Sequence, residues 1–381
     1  MKVTAVATWF PTEKAPASGS FIVKDLHAIA KAGAKVRLIH LVAPRLYDGS
    51  RRVNHEGIEV VRIPFDPFSP LDLGRAGRLL PTYLRGSDLV HSMAMSALAP
   101  VLVGKPAGMP WVHTEHWSGL TNPDTLGLGL RAARPVILGL ERLPDVVTAV
   151  CPYLSAPLRT VRPHKPTVEI PCVVEPVANL VERRVLSAPS APWRLVSVGG
   201  LVERKDPLFA LRVVQELQRR GRETNLTWVG TGPLESACRD YAAEHGLDLR
   251  LTGALPYEGV SRELAAADVF IGPTHGDNFY VSCAEAILHG RPVVVGDAGG
   301  HPDYMRPAAG EALPHHDPGD YADAVEAQIL DNQHCAGDIA ATIGTAFSED
   351  TVGASYVAVY RAMLDGKVDS LRETLPSWRG W

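Results

Sequence analysis

The sequence predicts an α/β protein made of two parallel-sheet domains, and three observations carry that prediction. At 381 residues the chain is too long for one ordinary core and suits two domains of comparable size. Short β-rich runs alternate with helical patterns almost throughout, as parallel strands joined by crossover helices require. That alternation lapses between Glu175 and Pro192, where prolines, alanines and an arginine pair take over. It restarts cleanly at Arg194-Leu195-Val196-Ser197-Val198.

In chain order, the expected strands of the first half are Val3–Thr8, Val36–Val42, Glu59–Ile63, Leu89–Ser92, Trp111–Thr114 and Val146–Val150. Between the first two, Ile22, Leu26 and Ile29 recur at helical spacing, and Gly33 ends that helix as a C-cap. After the strand at Arg194, further strands are expected at Leu226–Val229, Arg250–Leu251, Val269–Ile271 and Val293–Val295, with a helical stretch between each pair. A last helical pattern runs from about Thr351 to Leu364. It leads into a tail with Trp378 and Trp381, and aromatic residues so near a terminus suggest a docked tail. The expected division is therefore residues 1–174, a linker at 175–192, a second domain at 193–350, and a helix and tail at 351–381 that cross back to brace the first domain. Two Rossmann-like domains facing a cleft would hold a ligand between the carboxyl ends of their sheets.

Composition narrows the function. Hydrophobic content of 46% with 21% charged residues is ordinary for a soluble protein. A net charge of -4 gives no basic field, so nucleic acid is not an expected partner. Five cysteines without CxxC spacing argue against a disulfide framework or thiolate metal site, and for a reducing compartment. The chain starts directly in a strand-like stretch, without the pattern of a secretory signal. No window approaches the ~20 apolar residues that span a bilayer, so the cytoplasm is the expected location. Arg75, Arg78 and Arg85 lie among leucines, which leaves peripheral membrane contact open; a solvated helix face is the expected reading.

The chemically richest stretch is Asp277-Asn278-Phe279-Tyr280-Val281-Ser282-Cys283-Ala284-Glu285. A strand ends near Ile271, a glycine-containing loop follows, and a helix is expected from Val281 or Ser282. Such a helix start offers unpaired backbone N–H groups and partial positive charge to a phosphate. Glu285, one turn in, is at the depth to accept hydrogen bonds from ribose hydroxyls. Asp277 and Asn278 precede it, within reach of hydroxyls beyond the phosphates. Alone, the stretch reads as an acidic loop capping a helix.

Three other loops share its position between strand and helix. Gly199-Gly200-Leu201-Val202-Glu203-Arg204-Lys205 sets a fork-shaped and a point-like cation side by side, a diphosphate clamp. Val229-Gly230-Thr231-Gly232-Pro233 is a weaker glycine signal, explained nearly as well by a tight turn. Ser18-Gly19-Ser20 could bring backbone N–H groups close to the same diphosphate.

Together these segments resemble family four of the retaining glycosyltransferases, which have the GT-B fold. The block Gly290-Arg291-Pro292-Val293-Val294 with Gly299-Gly300-His301-Pro302-Asp303 strengthens the resemblance, Asp303 standing where Glu is usual. It covers nearly the whole chain and implies a nucleotide diphosphate sugar as donor, uridine-linked by family frequency. In that reading Glu285 holds the ribose, Arg204 and Lys205 the diphosphate, and Asp277 and Asn278 face the transferred sugar. The backbone of Phe279, Tyr280 and Val281 would contact sugar and phosphate oxygens. His116, in Thr114-Glu115-His116-Trp117, matches the family histidine that approaches the sugar, and Leu255 lies where the nucleobase meets backbone groups. Two departures stand out. Asp277 replaces the Glu that usually opens this loop, and Gly200 stands where many members carry Arg.

His113 and His116 invite a zinc assignment, but the segment reads as strand and loop and offers no third ligand. His315-His316 falls in a polar loop, where solvated surface is the default. No Asp-x-Asp motif occurs, so the expected enzyme is metal-independent and has no cofactor besides its donor, with Arg204, Lys205 and helix N-termini compensating charge. The acceptor is expected to be a small-molecule or lipid-linked hydroxyl. A sugar-nucleotide epimerase, a GDP-mannose-dependent mannosyltransferase and a periplasmic-type sugar-binding protein are the rival readings.

Overall fold

The computed structural model describes residues 1–371 except 17, 124, 125 and 185–190, so Trp378 and Trp381 of the expected docked tail lie outside the described residues. The chain forms two compact units. Among the described residues, the first comprises Met1–Val173 and the segment from Phe347 to Leu371, and the second runs from Val174 to Ala346.

In the first unit, β1 (Lys2–Ala7), β2 (Lys35–Val42), β3 (Arg52–His55), β4 (Ile58–Pro64), β5 (Leu89–Met93), β6 (Trp111–Glu115), β7 (Val146–Ala149) and β8 (Thr167–Glu169) make one sheet of order β3-β4-β2-β1-β5-β6-β7-β8. Only β3 runs antiparallel to its neighbour. β1, β5, β6 and β7 are buried almost end to end, because helices cover both faces and an apolar run is stable only there. The helices of this unit are α1 (Ser20–Lys31), α2 (Pro70–Leu84), α3 (Leu98–Gly104), α4 (Leu128–Leu140), which buries only Ile137, and α5 (Pro152–Val161).

In the second unit, β9 (Trp193–Val198), β10 (Thr224–Val229), β11 (Asp248–Gly253), β12 (Val269–Gly272), β13 (Val293–Gly296) and β14 (Gly310–Leu313) are all parallel, in the order β11-β10-β9-β12-β13-β14. Its helices are α6 (Pro207–Arg219), α7 (Glu235–His245), α8 (Tyr257–Ala266), α9 (Val281–Leu288), α10 (Pro318–Leu330) and α11 (Ala336–Ala341). Three strands had no counterpart in the expectations. β3 is a polar hairpin edge, β8 is three residues long, and β14 reads Gly-Glu-Ala-Leu without a β-branched residue.

The last helix, α12 (Glu349–Leu364), belongs to the first unit. Val352, Tyr356, Val357, Val359 and Tyr360 join Val3, Ala28, Ile29, Leu89, Val112 and Val146 in one core cluster. Two tyrosines carry polar bonds into it: Tyr356 Oη donates to Asp25 Oδ2 at 3.2 Å, and Tyr360 Oη lies 2.8 Å from His91 Nδ1. Close approach of α12 to α1 depends on Gly353, where an added Cβ would fall 2.1 Å from the Ala28 carbonyl oxygen. Gly353→Val is therefore expected to destabilise by about 2–3 kcal/mol through overpacking. The melting temperature should fall by about 5–10 °C, and a melt within a degree of the parent would show that the two helices are not held this closely.

Candidate active site

A doubly wound sheet opens a crevice where its strand order reverses, at the carboxyl ends of the flanking strands. In the second unit the reversal lies between β9 and β12. The loop after β9 carries Gly200, Arg204 and Lys205, and the loop after β12 carries Asp277, Asn278, Phe279 and Tyr280 before α9. Ser282 Oγ donates to the Val198 carbonyl at 2.9 Å, pinning the start of α9 to the end of β9.

Asp277 organises this corner. Its Oδ1 accepts the Tyr280 N–H at 3.0 Å, while Oδ2 accepts Arg204 Nη1 at 2.8 Å and Lys205 Nζ at 2.9 Å. Lys205 is buried, with Nζ 3.4 Å from the centre of the Tyr280 ring. Burial raises the Asp277 carboxyl, but Lys205 and Arg204 outweigh it and hold the group well below the usual carboxylate range. Burial lowers the Lys205 ammonium, and Asp277 opposes that. The sequence reading gave Asp277 to the sugar and the two cations to a diphosphate. In the structure these three side chains are joined to one another.

Glycines set how closely the loops approach. Gly299 has φ +134°, and a Cβ there would fall 1.9 Å from the Asp277 carbonyl oxygen, so the Gly299-Gly300 block serves as the backing of Asp277. Gly300 N–H donates to that same oxygen at 3.0 Å. Gly230 sits one strand away, its N–H bonded to the Gly253 carbonyl at 2.9 Å, and Leu201 N–H reaches Thr231 O at 3.1 Å. Gly200 and Gly230 are thus brought side by side.

α9 starts after Tyr280, whose left-handed backbone (φ 58°) turns the chain, and no side chain caps the helix. Tyr304, which sequence reasoning missed, donates through its hydroxyl to the carbonyls of Phe279 and Tyr280, both at 3.0 Å. No spacing marks that residue in the sequence. Asn278, Phe279 and Tyr280 are buried; Val281 and Glu285 are half-buried on α9. The Glu285 charge reaches Tyr257 at the start of α8, whose hydroxyl is pushed up first by burial and then by that charge. Leu255 lies in the turn leading into α8, half-buried with its Cβ against the Gly259 position.

The first unit has a cluster of its own at the carboxyl ends of β1 and β6. Gly19 heads α1, and a Cβ there would meet the Trp9 carbonyl oxygen at 2.5 Å. His116 packs its ring on Phe21 at 4.4 Å, with Nε2 3.7 Å from Asp25 Oδ2. Burial pushes the imidazole down to about 4 and the Asp25 carboxyl up to about 8. Near neutral pH both groups are therefore uncharged, and their proximity is a polar contact rather than an ion pair. Glu115 Oε1 accepts the N–H groups of His116 and Trp117 at 2.7 and 2.6 Å, fixing the loop. His113 faces elsewhere, with Nε2 3.3 Å from Glu115 Oε2 and 3.5 Å from Glu141 Oε1. His113 and His116 do not converge.

Asp25 was also missed, although its spacing from Ile22 and Ile29 put a carboxylate on the apolar face of α1. Its raised pKa has a signed consequence. Between the usual value and about 8 the folded state holds a proton that the unfolded state has lost, so this contribution is full at low pH and declines as pH rises to about 8. Asp25→Asn removes it. The variant should gain stability over the parent by up to about 1.4 kcal/mol per pH unit across that window. Melting curves at several pH values measure this, and a constant offset would mean that Asp25 is ionised throughout.

Comparison with known proteins places this geometry among relatives. A family model described as "Glycosyl transferases group 1" matches residues 192–331, and another, "Glycosyl transferase 4-like domain", matches residues 20–172. A D-inositol 3-phosphate glycosyltransferase of Saccharomonospora viridis is 28% identical, over 85% of this chain and 81% of its own. Among solved structures, sucrose-phosphate synthase of Thermosynechococcus elongatus superposes with TM-score 0.74 at 18% identity, covering 96% of this chain and all of that one. Anabaena HepE in complex with UDP and glucose superposes with TM-score 0.72 at 16% identity, covering 95% of this chain and all of that one. These two similarities concern the fold.

Proposed function

Because the chain belongs to the group 1 glycosyl transferases of GT-B fold, we propose that it is a retaining hexosyltransferase using a nucleotide diphosphate sugar, uridine-linked, and an acceptor hydroxyl. The observation that carries this reading is the meeting of Arg204, Lys205 and the uncapped start of α9 at the sheet's reversal point. Phosphate oxygens are drawn to such a place by backbone N–H groups and by fixed cations. Glu285, one turn along α9 and close to Tyr257, is assigned to the ribose, and the turn at Leu255 to the base.

In the proposed reaction the anomeric bond loosens toward an oxocarbenium-like state while the diphosphate departs. Lys205 and Arg204 stabilise the charge that develops on it, in a site that needs no reorganisation at that moment. The acceptor hydroxyl then bonds to the anomeric carbon on the face the diphosphate left, and its proton passes to the leaving phosphate oxygen. Asp277 keeps the two cations in place, with its Asn278 neighbour toward the sugar. His116, uncharged, is assigned a hydrogen bond to the transferred sugar. Charge is balanced by these side chains, so we read the reaction as metal-independent and place it in the cytoplasm. The acceptor is a polyol-like small molecule or a lipid-linked hydroxyl.

A thermal-shift panel of uridine, guanosine and adenosine diphosphate sugars tests the donor, since a ligand that binds only the folded state raises its melting temperature. Stabilisation by uridine diphosphate sugars alone is the expected result. A response to guanosine diphosphate mannose instead would move the reading to a mannosyltransferase. Conversion of the donor without any acceptor, and without release of nucleotide, would make the protein an epimerase.

A further inference from the structure

We infer that the second unit carries a transition-metal site, formed by Asp206, His275 and His316 and suited to Zn2+. The ligands come from three loops that the sequence separates: the turn after Lys205, the loop after β12 and the loop before α10. One ligand atom from each lies within 4.8 Å of the others. His275 Nε2 is 3.0 Å from Asp206 Oδ2, and the two imidazoles stack with centroids 4.2 Å apart at 13°.

The arrangement around His316 is that of a metal ligand rather than of a solvated loop residue. Its Nε2–H donates to the Pro273 carbonyl at 3.0 Å, which fixes the tautomer and leaves Nδ1 with its lone pair. A backbone carbonyl on the far nitrogen is the usual support of a coordinating histidine. Phe209 lies edge-on to the ring at 5.0 Å and Tyr321 at 6.0 Å, so its orientation is held. Asp206 is similarly divided: Oδ1 caps α6 by accepting the Phe209 N–H at 3.0 Å, and Oδ2 turns to His275.

Two imidazoles and one carboxylate favour zinc, copper or nickel over magnesium or calcium, which prefer all-oxygen sites. Ligands held at about 2.0–2.2 Å by tetrahedral zinc stand roughly 3.3–3.6 Å from one another, so the His275–Asp206 pair is already close to that separation. A ring nitrogen coordinates in the plane of its ring, so His275 has to turn out of its stack on His316 to share an ion with it. His275 has the freedom to do so, because it is 51% exposed. That exposure also gives the ion a way in and water a fourth position. His113, Glu115 and Glu141 are similarly close together, but all three are 0% exposed and offer no such route. A bound ion would tie the turn bearing Arg204 and Lys205 to the loop bearing Asp277. Those segments already meet where His275 N–H and Thr274 Oγ1 donate to the Arg204 carbonyl, at 2.8 and 3.2 Å. The inference stands apart from the glycosyl-transfer reading.

The test uses the full chain, without an affinity tag and stripped with chelator, titrated with Co2+ alone by absorption spectroscopy and then displaced by Zn2+. One ion per chain is expected, with a Zn2+ dissociation constant of about 10 µM or tighter. His275→Ala and His316→Gln should each weaken binding at least ~10-fold, while His315→Ala leaves it unchanged. Metal-free melting curves establish that the variants are folded. Binding that does not saturate by about 100 µM, that survives both substitutions, or that disappears with His315→Ala overturns the site.

Discussion

Lys205→Met is expected to lower turnover at saturating donor by about 10²- to 10³-fold, the scale set by losing one preorganised charge donor at a leaving group. Methionine keeps the length of the buried apolar stem, which runs beside Gly199, and removes the ammonium that sits over the Tyr280 ring, so the loss should appear in kcat rather than in folding. Lys205 also partners Asp277, and an effect on Asp277 alone would have the same sign. The double variant Lys205→Met with Asp277→Asn separates the two. If the lysine only neutralises Asp277, removing both charges restores turnover. If it stabilises the departing diphosphate, turnover stays low. Full activity in the single variant would remove Lys205 from the reaction.

Glu285→Ala is expected to weaken donor binding by about 10- to 100-fold, because hydrogen bonds to a charged group contribute about 1.5–3 kcal/mol. The residue is half-buried on α9, and its charge already acts on Tyr257 at the start of α8. Calorimetry with the donor alone measures the change. Glu285→Gln keeps one acceptor oxygen and should fall between parent and alanine variant. Unchanged affinity in Glu285→Ala would falsify the ribose assignment and leave the phosphate site standing.

The sheets were legible because a strand buried on both faces leaves a short apolar run, as at Val293-Val294-Val295, and because the stretches between such runs carry helical periodicity. β14 was not legible, since Gly-Glu-Ala-Leu carries neither signal; its place at the sheet edge comes from pairing with β13. The motif loops were legible as locations. Their connections were not. Lys205 and Asp277 meet across 72 residues because β9 and β12 are neighbours in the sheet, and strand order is not written in either loop. The loops therefore looked like separate ligand-facing groups, whereas Asp277 binds both cations. Tyr304 and Tyr356 escaped for the same reason, Tyr356 meeting Asp25 across 331 residues. His316 was read as surface because it falls in a polar loop, and its partner Pro273 lies 43 residues earlier.

The placement of α12 also governs the order in which the protein can be made. The core around Val3, Leu89 and Val112 includes Val352, Tyr356 and Tyr360, so it stays incomplete while the ribosome synthesises the whole second unit. At roughly 5–20 residues per second, that interval lasts on the order of 10–40 s. The described residues of the second unit, Val174–Ala346, are continuous in sequence and can close as soon as they emerge. The first half of the chain is thus born first and finished last, and during that wait the Asp25 carboxyl and the apolar face of α1 that α12 will cover are open to water and to chaperones.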